Sequence, residues 1–365
     1  MQNDLYEIDF LPVETKKSGD AITLRYRMNG EEFIHVVDGG YQETGPSVVS
    51  HISEYYGNPG YIDHVVLTHP DGDHAGGLRT VLEEFSVGTL WMLRPWEYAD
   101  VLLDRFSKVS SVENLVGYLR EAYPNIVALE EIALEKGIEI RAPFQGAQIG
   151  AFTVLAPSPE RYFDLIANSD RTPQSKADAA QTLLGAFGSS AKAMVEKIVS
   201  LYKAAWGEEV FSTEDTSAEN EMSVIQHATM CGDTVLLTGD GGRGALEEAA
   251  DFAPNAGITL PGVKRFQIPH HGSRRNVSTE ILDRWLGERL SAPLPQGQEL
   301  FSTVVSSAKE DEDHPRNSVV RAMIHRGASV AQTEGSKFYW YRNVQLREGW
   351  SHSISRPYPE EQEAD

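Results

Sequence analysis

One local pattern occurs four times along this chain: a short apolar, β-branched run ends in a small polar cluster, and a helical pattern follows. The four runs are Tyr61–Thr68, Thr234–Thr238, Val263–Ile268 and Thr303–Ser307. Alternating strands and helices predict a layered α/β fold, because each apolar strand must bury its faces against helices or another sheet. The ends of neighbouring strands meet at one edge of such a fold, so we expect the polar clusters to converge there.

The beginning of the chain predicts antiparallel strands. Tyr6–Val13, Ala21–Arg27 and Phe33–Val37 are rich in β-branched and aromatic residues, and Asn29-Gly30 between the last two is typical of a hairpin turn. The third run ends at Asp38-Gly39-Gly40, where the glycines permit a tight turn that holds an acid at a strand end. Together with the alternating strands and helices farther along the chain, these antiparallel strands predict an αββα sandwich.

Two regions do not follow the alternation. Residues 96–125 are helical in character, and residues 160–218 include apolar residues at helical spacing between Ala179 and Trp206, which indicate one or two amphipathic helices. We interpret both as helical insertions in a single domain spanning residues 1–349, followed by an acidic tail at 350–365. The end of this tail, residues 360–365, is expected to be solvated and frayed. The apolar stripes of the insertions are expected to pack on the main core, and the insertions also offer a surface for a protein partner.

Composition limits the partners and the compartment. Among 365 residues, 32 are Lys or Arg and 54 are Asp or Glu, so a formal charge of −22 disfavours long duplex DNA as a partner. No apolar run is long enough to cross a membrane, and the first residues lack the basic head and apolar run of a signal peptide. The single cysteine, Cys231, fits a reducing compartment. We therefore expect a cytoplasmic protein with no membrane segment.

The strongest chemical signal follows the Tyr61–Thr68 run, where six consecutive positions supply His69, Asp71, Asp73 and His74. Imidazole nitrogens and carboxylate oxygens are the donors that Zn²⁺ and Mn²⁺ accept. A single Asp or His in such a loop is usually a turn former or a helix cap. Four such groups at the end of a buried strand instead favour a site for two neighbouring ions that activate a water molecule together.

The later polar clusters add candidate ligands, each with a simpler structural interpretation. Asp240 follows Gly239, and on its own it is equally well explained as a helix N-cap. His270 and His271 follow the Val263–Ile268 run, where a histidine is often only a hydrogen-bonding group. His314 lies in an acidic loop after the Thr303–Ser307 run.

Basic residues stand beside these candidates. Arg274 and Arg275 follow the histidine pair, and Arg316 lies two positions after His314. On so acidic a chain they indicate a site for an anionic substrate, because guanidinium groups bind phosphate and carboxylate oxygens well. The alternative is that they balance neighbouring carboxylates.

Taken together, these motifs resemble the metallo-β-lactamase fold superfamily. In chain order they are Asp38-Gly39-Gly40, Thr-His-Pro-Asp-Gly-Asp-His-Ala-Gly-Gly at 68–77, Asn220 with Ser223-Val224, Leu-Leu-Thr-Gly-Asp at 236–240 and Pro-His-His-Gly-Ser at 269–273. They look most like the branch that contains the hydrolase domain of bacterial DNA-uptake channel proteins, here as a stand-alone chain. The resemblance covers most of the chain outside the two insertions.

The resemblance implies a hydrolase with one or two divalent ions, Zn²⁺ or Mn²⁺. It implies that His69 and Asp71 serve one ion, that Asp73 and His74 serve the other, and that Asp240 is shared. The last imidazole ligand would come from His270 or His271, or less readily from His314. Asp38 would orient a ligand through hydrogen bonds.

The chain departs from the family pattern in two places. Asp71 stands where the superfamily usually has histidine; the DNA-uptake branch shares the aspartate, and an oxygen ligand shifts metal preference toward Mn²⁺. The usual histidine between the first cluster and the Gly-Asp motif is not evident: 152–157 resembles the equivalent strand, and Ala156 stands near the expected position. We therefore expect the first metal site to be weak, completed by water or empty.

These observations favour a phosphodiesterase or nuclease, in which a metal-bound hydroxide attacks a nucleic-acid end, a single strand or a small nucleotide. The candidate catalytic residues are Asp73, His271 and His314, and a histidine not used as a ligand would protonate the leaving oxygen. One alternative is a hydrolase of a lactone, thioester or β-lactam, because this fold also supports that chemistry. A third hypothesis is a catalytically weak binding module, for which Ala156 is the main support.

Overall fold

The computed structural model describes residues 3–173, 200–351 and 355–364, and within these ranges two seven-stranded sheets are present. The first sheet contains, in spatial order, β15 (Phe338–Arg342), β1 (Leu5–Phe10), β2 (Ala21–Met28), β3 (Glu31–Gly39), β4 (Tyr61–Val66), β5 (Ser86–Trp91) and β6 (Glu139–Arg141). The second contains β14 (Ala328–Gln332), β13 (Phe301–Val305), β12 (Arg265–Gln267), β11 (Asp233–Leu237), β10 (Ile225–Met230), β8 (Phe152–Ala156) and β7 (Gln148–Ile149). A separate pair joins β9 (Leu201–Lys203) to β16 (Glu361–Glu363).

Helices cover the outer face of each sheet. On the side of the first sheet lie α1 (Gly45–Tyr55), α2 (Gly72–Ala75), α3 (Leu78–Glu84), α4 (Ala99–Leu102), α5 (Val112–Ala122), α6 (Pro124–Lys136) and α7 (Pro159–Asn168). The remaining described α-helices are α8 (Ala218–Glu221) and, against the second sheet, α9 (Arg243–Phe252), α10 (Thr279–Leu286) and α11 (Asn317–His325). Within the described ranges, no helix has both the length and the apolar character needed to span a lipid bilayer.

Three layers of buried side chains hold this arrangement together. Along β3, Val36 packs with the helices on the outer face, whereas the next residue, Val37, packs between the two sheets. This alternation follows from the period of two along a strand. On the far side, Trp285 of α10 packs against the second sheet. The predicted α/β class and αββα arrangement are confirmed.

The predicted antiparallel start is also confirmed, since β1 pairs with β2 and β2 with β3. Asn29 and Gly30 of the hairpin turn have φ values of 55° and 89°. Beyond this hairpin, β3, β4 and β5 are parallel, and β11 to β14 are parallel as well. The carboxyl ends of the parallel strands in each sheet therefore lie at one edge.

Two glycines allow the end of β3 to pack against the start of α3. A β-carbon on Gly77 would lie 2.0 Å from the carbonyl oxygen of Gly39, and one on Gly39 would lie 2.5 Å from the amide nitrogen of Leu78. Any larger residue at either position would push apart the loops that carry Asp38 and His74. The glycines beside these motifs are therefore explained by close backbone approach.

The predictions for the two insertions have different outcomes. Around residues 96–125 the structure is helical, with α4, α5 and a 3-10 turn at Pro95–Tyr98. Helices were predicted between Ala179 and Trp206. Residues 174–199 lie outside the described part of the chain, and most of this prediction falls on them. For the remainder the prediction is wrong, because Leu201–Lys203 forms a strand with Glu361–Glu363, a distant partner that local periodicity does not reveal.

The prediction of a frayed acidic tail is wrong as well. Gln362 and Glu363 are buried, with 0% and 4% exposure, in the strand pair with β9. The Glu363 carboxylate accepts hydrogen bonds from the backbone nitrogens of Asn317 and Ser318, at 2.7 and 2.9 Å. A carboxylate is stabilised at a helix N-terminus, so these acidic residues serve as a cap for α11 supplied from far along the chain.

Candidate metal centre

The polar clusters converge at the edge where both sheets present carboxyl ends of strands. Asp38 lies at the end of β3, and the His69–His74 loop follows β4. From the second sheet, Asp240 follows β11 and His271 follows β12. Each sheet thus contributes part of one shared site.

Four of these residues form a compact group of donors. One ligand atom from each of Asp73, His74, Asp240 and His271 lies within 4.8 Å of the others. His74 Nε2 is 3.3 Å from Asp240 Oδ1, and His271 Nε2 is 3.6 Å from Asp73 Oδ2. Two imidazoles and two carboxylates at these separations can hold a divalent ion.

The chemistry of the donor atoms fits such an ion. The Nε2 atoms of His69, His74 and His271 and the Oδ1 atom of Asp240 are buried without a hydrogen-bond partner. A buried polar atom left unpaired costs about 1–3 kcal/mol, so a cluster of four is unfavourable unless something else satisfies it. A cation held by Asp73, His74, Asp240 and His271 would satisfy three of them at once, namely the Nε2 atoms of His74 and His271 and the Oδ1 atom of Asp240.

The opposite ring nitrogens are fixed by hydrogen bonds. His74 Nδ1 donates to Asp38 Oδ2 at 2.7 Å, and His271 Nδ1 donates to the carbonyl oxygen of Ser306 at 3.0 Å. His69 Nδ1 lies 3.1 Å from Thr68 Oγ1, whose hydroxyl donates to Asp38. These bonds place the proton on Nδ1 and leave the Nε2 lone pair for a metal, an arrangement typical of histidine ligands.

The second carboxylate oxygen of Asp240 faces a looser set of groups. Asp240 Oδ2 lies 3.8 Å from His69 Nε2 and 3.7 Å from His270 Nε2. Asp71 Oδ2 is 3.8 Å from His69 Nε2, but Asp71 Oδ1 accepts a hydrogen bond from Arg171 Nη2 at 2.6 Å. Within the described residues, this side of Asp240 has no group of three donors as compact as the first group.

Charge interactions within the centre shift its pKa values. Burial opposes protonation of His74, but the carboxylates of Asp240 and Asp38 hold its pKa well above the ordinary value. Burial likewise opposes protonation of His271, yet Asp240 and Asp73 raise its pKa to about 9. Burial opposes ionisation of Asp73, but His74 and His271 lower its pKa to about 2. A cation that binds here must therefore displace protons from the imidazoles.

Three residues of the centre have an unusual backbone conformation. Asp38, His270 and His271 have φ values of 57°, 45° and 54°. The left-handed region costs a residue with a side chain about 1 kcal/mol or more, and such residues concentrate at functional sites. Here the strain turns Asp38 toward His74 and directs the ring of His271 toward Asp73.

His314 lies beside the histidine pair and outside the compact donor group. Its ring centroid is 5.6 Å from that of His270 and 6.3 Å from that of His271. His314 Nδ1 is 3.4 Å from Asp311 Oδ2, and burial lowers the pKa of the ring. Asp311 is held in turn by the backbone nitrogen and hydroxyl of Ser18.

Both arginines proposed to contact substrate have other partners. Arg275 Nη2 bonds to the carboxylate of Glu214, and Arg274 Nη1 is 3.5 Å from the carbonyl oxygen of Ala364. For Arg275 this matches the alternative interpretation, in which it balances a neighbouring carboxylate. Among the described residues, Arg171 is a cation that does lie close to the centre, since it bonds to Asp71.

Several residues that support the centre were not identified from the sequence. Asp20 is fully buried with Oδ2 4.0 Å from His74 Nδ1, and Asn276 bonds both to the ring of His270 and to the carbonyl oxygen of Asp240. Thr68 and Asp311 each stand within three positions of a predicted site residue, which was an available signal. Asp20 and Arg171 have no such local signal, because only the fold brings them to the site.

Comparisons with known proteins agree with this architecture. The metallo-beta-lactamase superfamily model matches residues 26–140, which are 115 of 365 residues and include the His69–His74 loop. No curated protein matches the chain by sequence. The αββα arrangement described above is consistent with the metallo-β-lactamase fold. The more specific resemblance to the DNA-uptake branch stays a prediction.

Similar solved structures share very little sequence with this chain. CmlA, a diiron beta-hydroxylase from Streptomyces venezuelae, is 13% identical with a TM-score of 0.39, and the match covers 93% of this chain and 54% of that one. A beta-lactamase domain protein from Burkholderia ambifaria is 14% identical with a TM-score of 0.32, over 73% of this chain and 68% of that one. A putative metallo-beta-lactamase from Thermotoga maritima is 10% identical with a TM-score of 0.30, over 64% and 78%.

Proposed function

We propose that this protein is a metal-dependent hydrolase whose divalent ion is held by Asp73, His74, Asp240 and His271. One observation carries the proposal: the donor atoms of these residues converge within 4.8 Å, and three of them are buried with no hydrogen-bond partner. An ion held there would act as a Lewis acid and lower the pKa of a bound water molecule. Retention of so complete a donor set argues against a module that only binds.

We assign the proton transfers of this reaction to His314. Burial lowers the pKa of His314, so its ring is neutral near pH 7 and its Nε2 can accept a proton from the attacking water molecule. The bond from Nδ1 to Asp311 fixes the orientation of the ring and stabilises it once it is protonated. His314 then donates this proton to the leaving oxygen.

We further propose that the substrate is a phosphodiester, such as a nucleic-acid end, a single strand or a small nucleotide. The Arg171 guanidinium beside Asp71 supplies a positive charge for a phosphate oxygen. The carboxylates of Asp73 and Asp240 supply half of the four donors, which favours Mn²⁺ more than a site made of histidines alone would. The formal charge of −22 disfavours long duplex DNA, so short or single-stranded substrates are expected.

Hydrolysis of a lactone, thioester or β-lactam has less structural support. An apolar cavity lined in part by His69, Tyr123 and Tyr162 lies behind the centre, but its volume is about 10 Å³. A space of that size accommodates roughly one water molecule, and an acyl chain does not fit in it. This cavity therefore provides no binding site for an acyl chain.

Metal analysis and a substrate panel would test the proposal. The metal content of the purified protein is measured, and hydrolysis of a generic phosphodiester, a labelled single strand, a labelled duplex, a lactone and a β-lactam is then compared. We expect bound transition metal and turnover of the phosphodiester and the single strand, both abolished in Asp240→Ala and His74→Ala. Absence of bound metal would refute the hydrolase proposal, and turnover of only the carbonyl substrates would refute the choice of phosphodiester.

A further inference from the structure

The two oxygens of the Asp240 carboxylate face unequal surroundings. Oδ1 belongs to the compact group with Asp73, His74 and His271. Oδ2 lies 3.8 Å from His69 Nε2, but the next carboxylate on that side, Asp71, is bonded to Arg171. A symmetric pair of ion sites would require a compact group around each oxygen, and the described residues provide one such group.

The family pattern implies a histidine near the end of β8, but this strand contributes no donor there. Ala156 ends β8 and is fully buried in the apolar core of the second sheet. Its methyl group has no nitrogen or oxygen with which to hold an ion. On this side of the centre, the donors nearest Asp240 Oδ2 are the imidazoles of His69 and His270.

Arg171 is held in place by a buried frame. Its Nε atom is 3.8 Å from the carboxylate of Glu219, which is only 4% exposed. That carboxylate also accepts hydrogen bonds from the hydroxyls of Tyr123 and Ser169, and the Ser169 hydroxyl accepts one from the backbone nitrogen of Arg171. An exposed ion pair would be worth little by itself, but a buried carboxylate that fixes the guanidinium makes its position specific.

We infer that the centre binds a single divalent ion, at Asp73, His74, Asp240 and His271, and that the Arg171 guanidinium supplies the positive charge of the missing second ion. The guanidinium neutralises Asp71 and repels a second cation beside His69. In the reaction, which rests on the proposed hydrolase function, Arg171 would contact a phosphate oxygen that a second ion would otherwise bind. Because the Arg171 side chain is already held in place, it makes this contact without a second metal ion.

Metal stoichiometry tests this inference without measuring activity. The full chain is stripped with a chelator and titrated with Mn²⁺, and bound ions are counted by calorimetry and elemental analysis. We expect one tightly bound ion per wild-type chain. Arg171→Met removes the charge and retains a long side chain, so we expect a second, weaker ion to bind and the stoichiometry to rise from one to two.

Electron paramagnetic resonance provides a second readout of the same samples. A single Mn²⁺ ion gives the spectrum of an isolated spin, whereas two ions sharing Asp240 are magnetically coupled. The isolated spectrum is expected for wild type and the coupled spectrum for Arg171→Met. Arg105→Met is the matched control, because Arg105 pairs with Glu160 at 2.7 Å on α7 and its loss changes the total charge equally.

A further pair of variants tests the asymmetry independently of Arg171. Asp71→Asn should keep the single tight ion, whereas Asp73→Asn should lose it. Two ions of similar affinity in the wild type, or a single ion in both wild type and Arg171→Met, would overturn the inference and leave the proposed hydrolase function intact. A wild-type protein that binds no ion would overturn the hydrolase proposal itself.

Discussion

Two pairs of histidines are similarly buried, but the charged groups around them differ. His74 and His271 at the metal centre, and His35 and His227 within the strands, all have a buried ring nitrogen with no hydrogen-bond partner. Carboxylate oxygens of Asp73 and Asp240 lie 3.3–3.8 Å from the Nε2 atoms of the first pair. For the second pair, no ion pair with a carboxylate occurs among the described residues, and the pKa of both rings is lowered by burial.

This difference teaches what marks a metal site. An unpaired imidazole by itself is consistent with a neutral ring in an apolar core, as at His35, which packs edge-on against Phe152. Converging carboxylates make the difference, because they place negative charge where only a cation or a proton can balance it. The following predictions test whether the two pairs differ in this way, beginning with the largest expected effect.

Asp240→Asn should affect the centre most. It keeps the shape of the side chain and removes the charge that faces four imidazoles, so we expect loss of metal binding and a fall in kcat/KM of about 10³-fold or more. Metal content and steady-state kinetics provide the measurement. Asp251→Asn, which breaks an exposed pair with Arg284, is the control and should change neither. Full metal binding by Asp240→Asn would show that the centre does not depend on this carboxylate.

We expect the titration of His227 to lower the free energy of unfolding as the pH falls. The raised pKa values of His74 and His271 at the metal centre act in the opposite direction. Burial lowers the folded pKa of His227 from 6.5 to about 4, so the unfolded chain binds the proton more tightly. The titration of His227 therefore leaves stability unchanged above pH 6.5 and lowers it by about 3 kcal/mol as the pH falls toward 4.

Urea unfolding at pH 7 and pH 4 measures this contribution. The unfolding free energy of the wild type should fall by about 3 kcal/mol more than that of His227→Leu, which has no group to titrate. Equal losses in the two proteins would mean that His227 is not held neutral by the fold. The comparison is made between the two proteins, so other groups that titrate in this range cancel.

Asp38→Asn should weaken metal binding without abolishing it. Asp38 accepts hydrogen bonds from Thr68 and from His74 Nδ1 at 2.7 Å, and an amide cannot accept them all. Loss of such a positioning residue typically costs 10–100-fold in metal affinity. Asp20→Asn is the comparison, because Asp20 lies 4.0 Å from His74 Nδ1 and should have the smaller effect. Equal losses in the two variants would contradict the role assigned to Asp38.

His35→Leu should have the smallest effect and the opposite sign. Both ring nitrogens of His35 are buried without partners, so an apolar replacement is expected to raise the unfolding free energy by about 1 kcal/mol. The same substitution at His325 provides the contrast, because His325 is bonded to Glu209 at 2.9 Å and to Tyr358 at 3.0 Å. Denaturant unfolding should show stabilisation at position 35 and destabilisation at position 325.

The sequence by itself determined the local parts of this protein. Strand and helix periodicity predicted β2, β3, β4, β11 and the helices that follow the polar loops, because apolar spacing along an element is a local property. The same local patterns identified Asp73, His74, Asp240 and the His270-His271 pair as candidates. The glycines after Asp38 predicted a tight turn, whereas the close approach of Gly39 and Gly77 became evident only in the structure.

Only the tertiary structure decided which candidates act together. It separated His271, in the compact group, from His270, which faces the other oxygen of Asp240. It also placed Arg171 against Asp71, 100 positions apart in the chain. Likewise, it folded Glu363 back as the cap of α11. Such contacts join residues distant in the chain, and their energy depends on the burial and orientation that the complete fold imposes, so no local pattern encodes them.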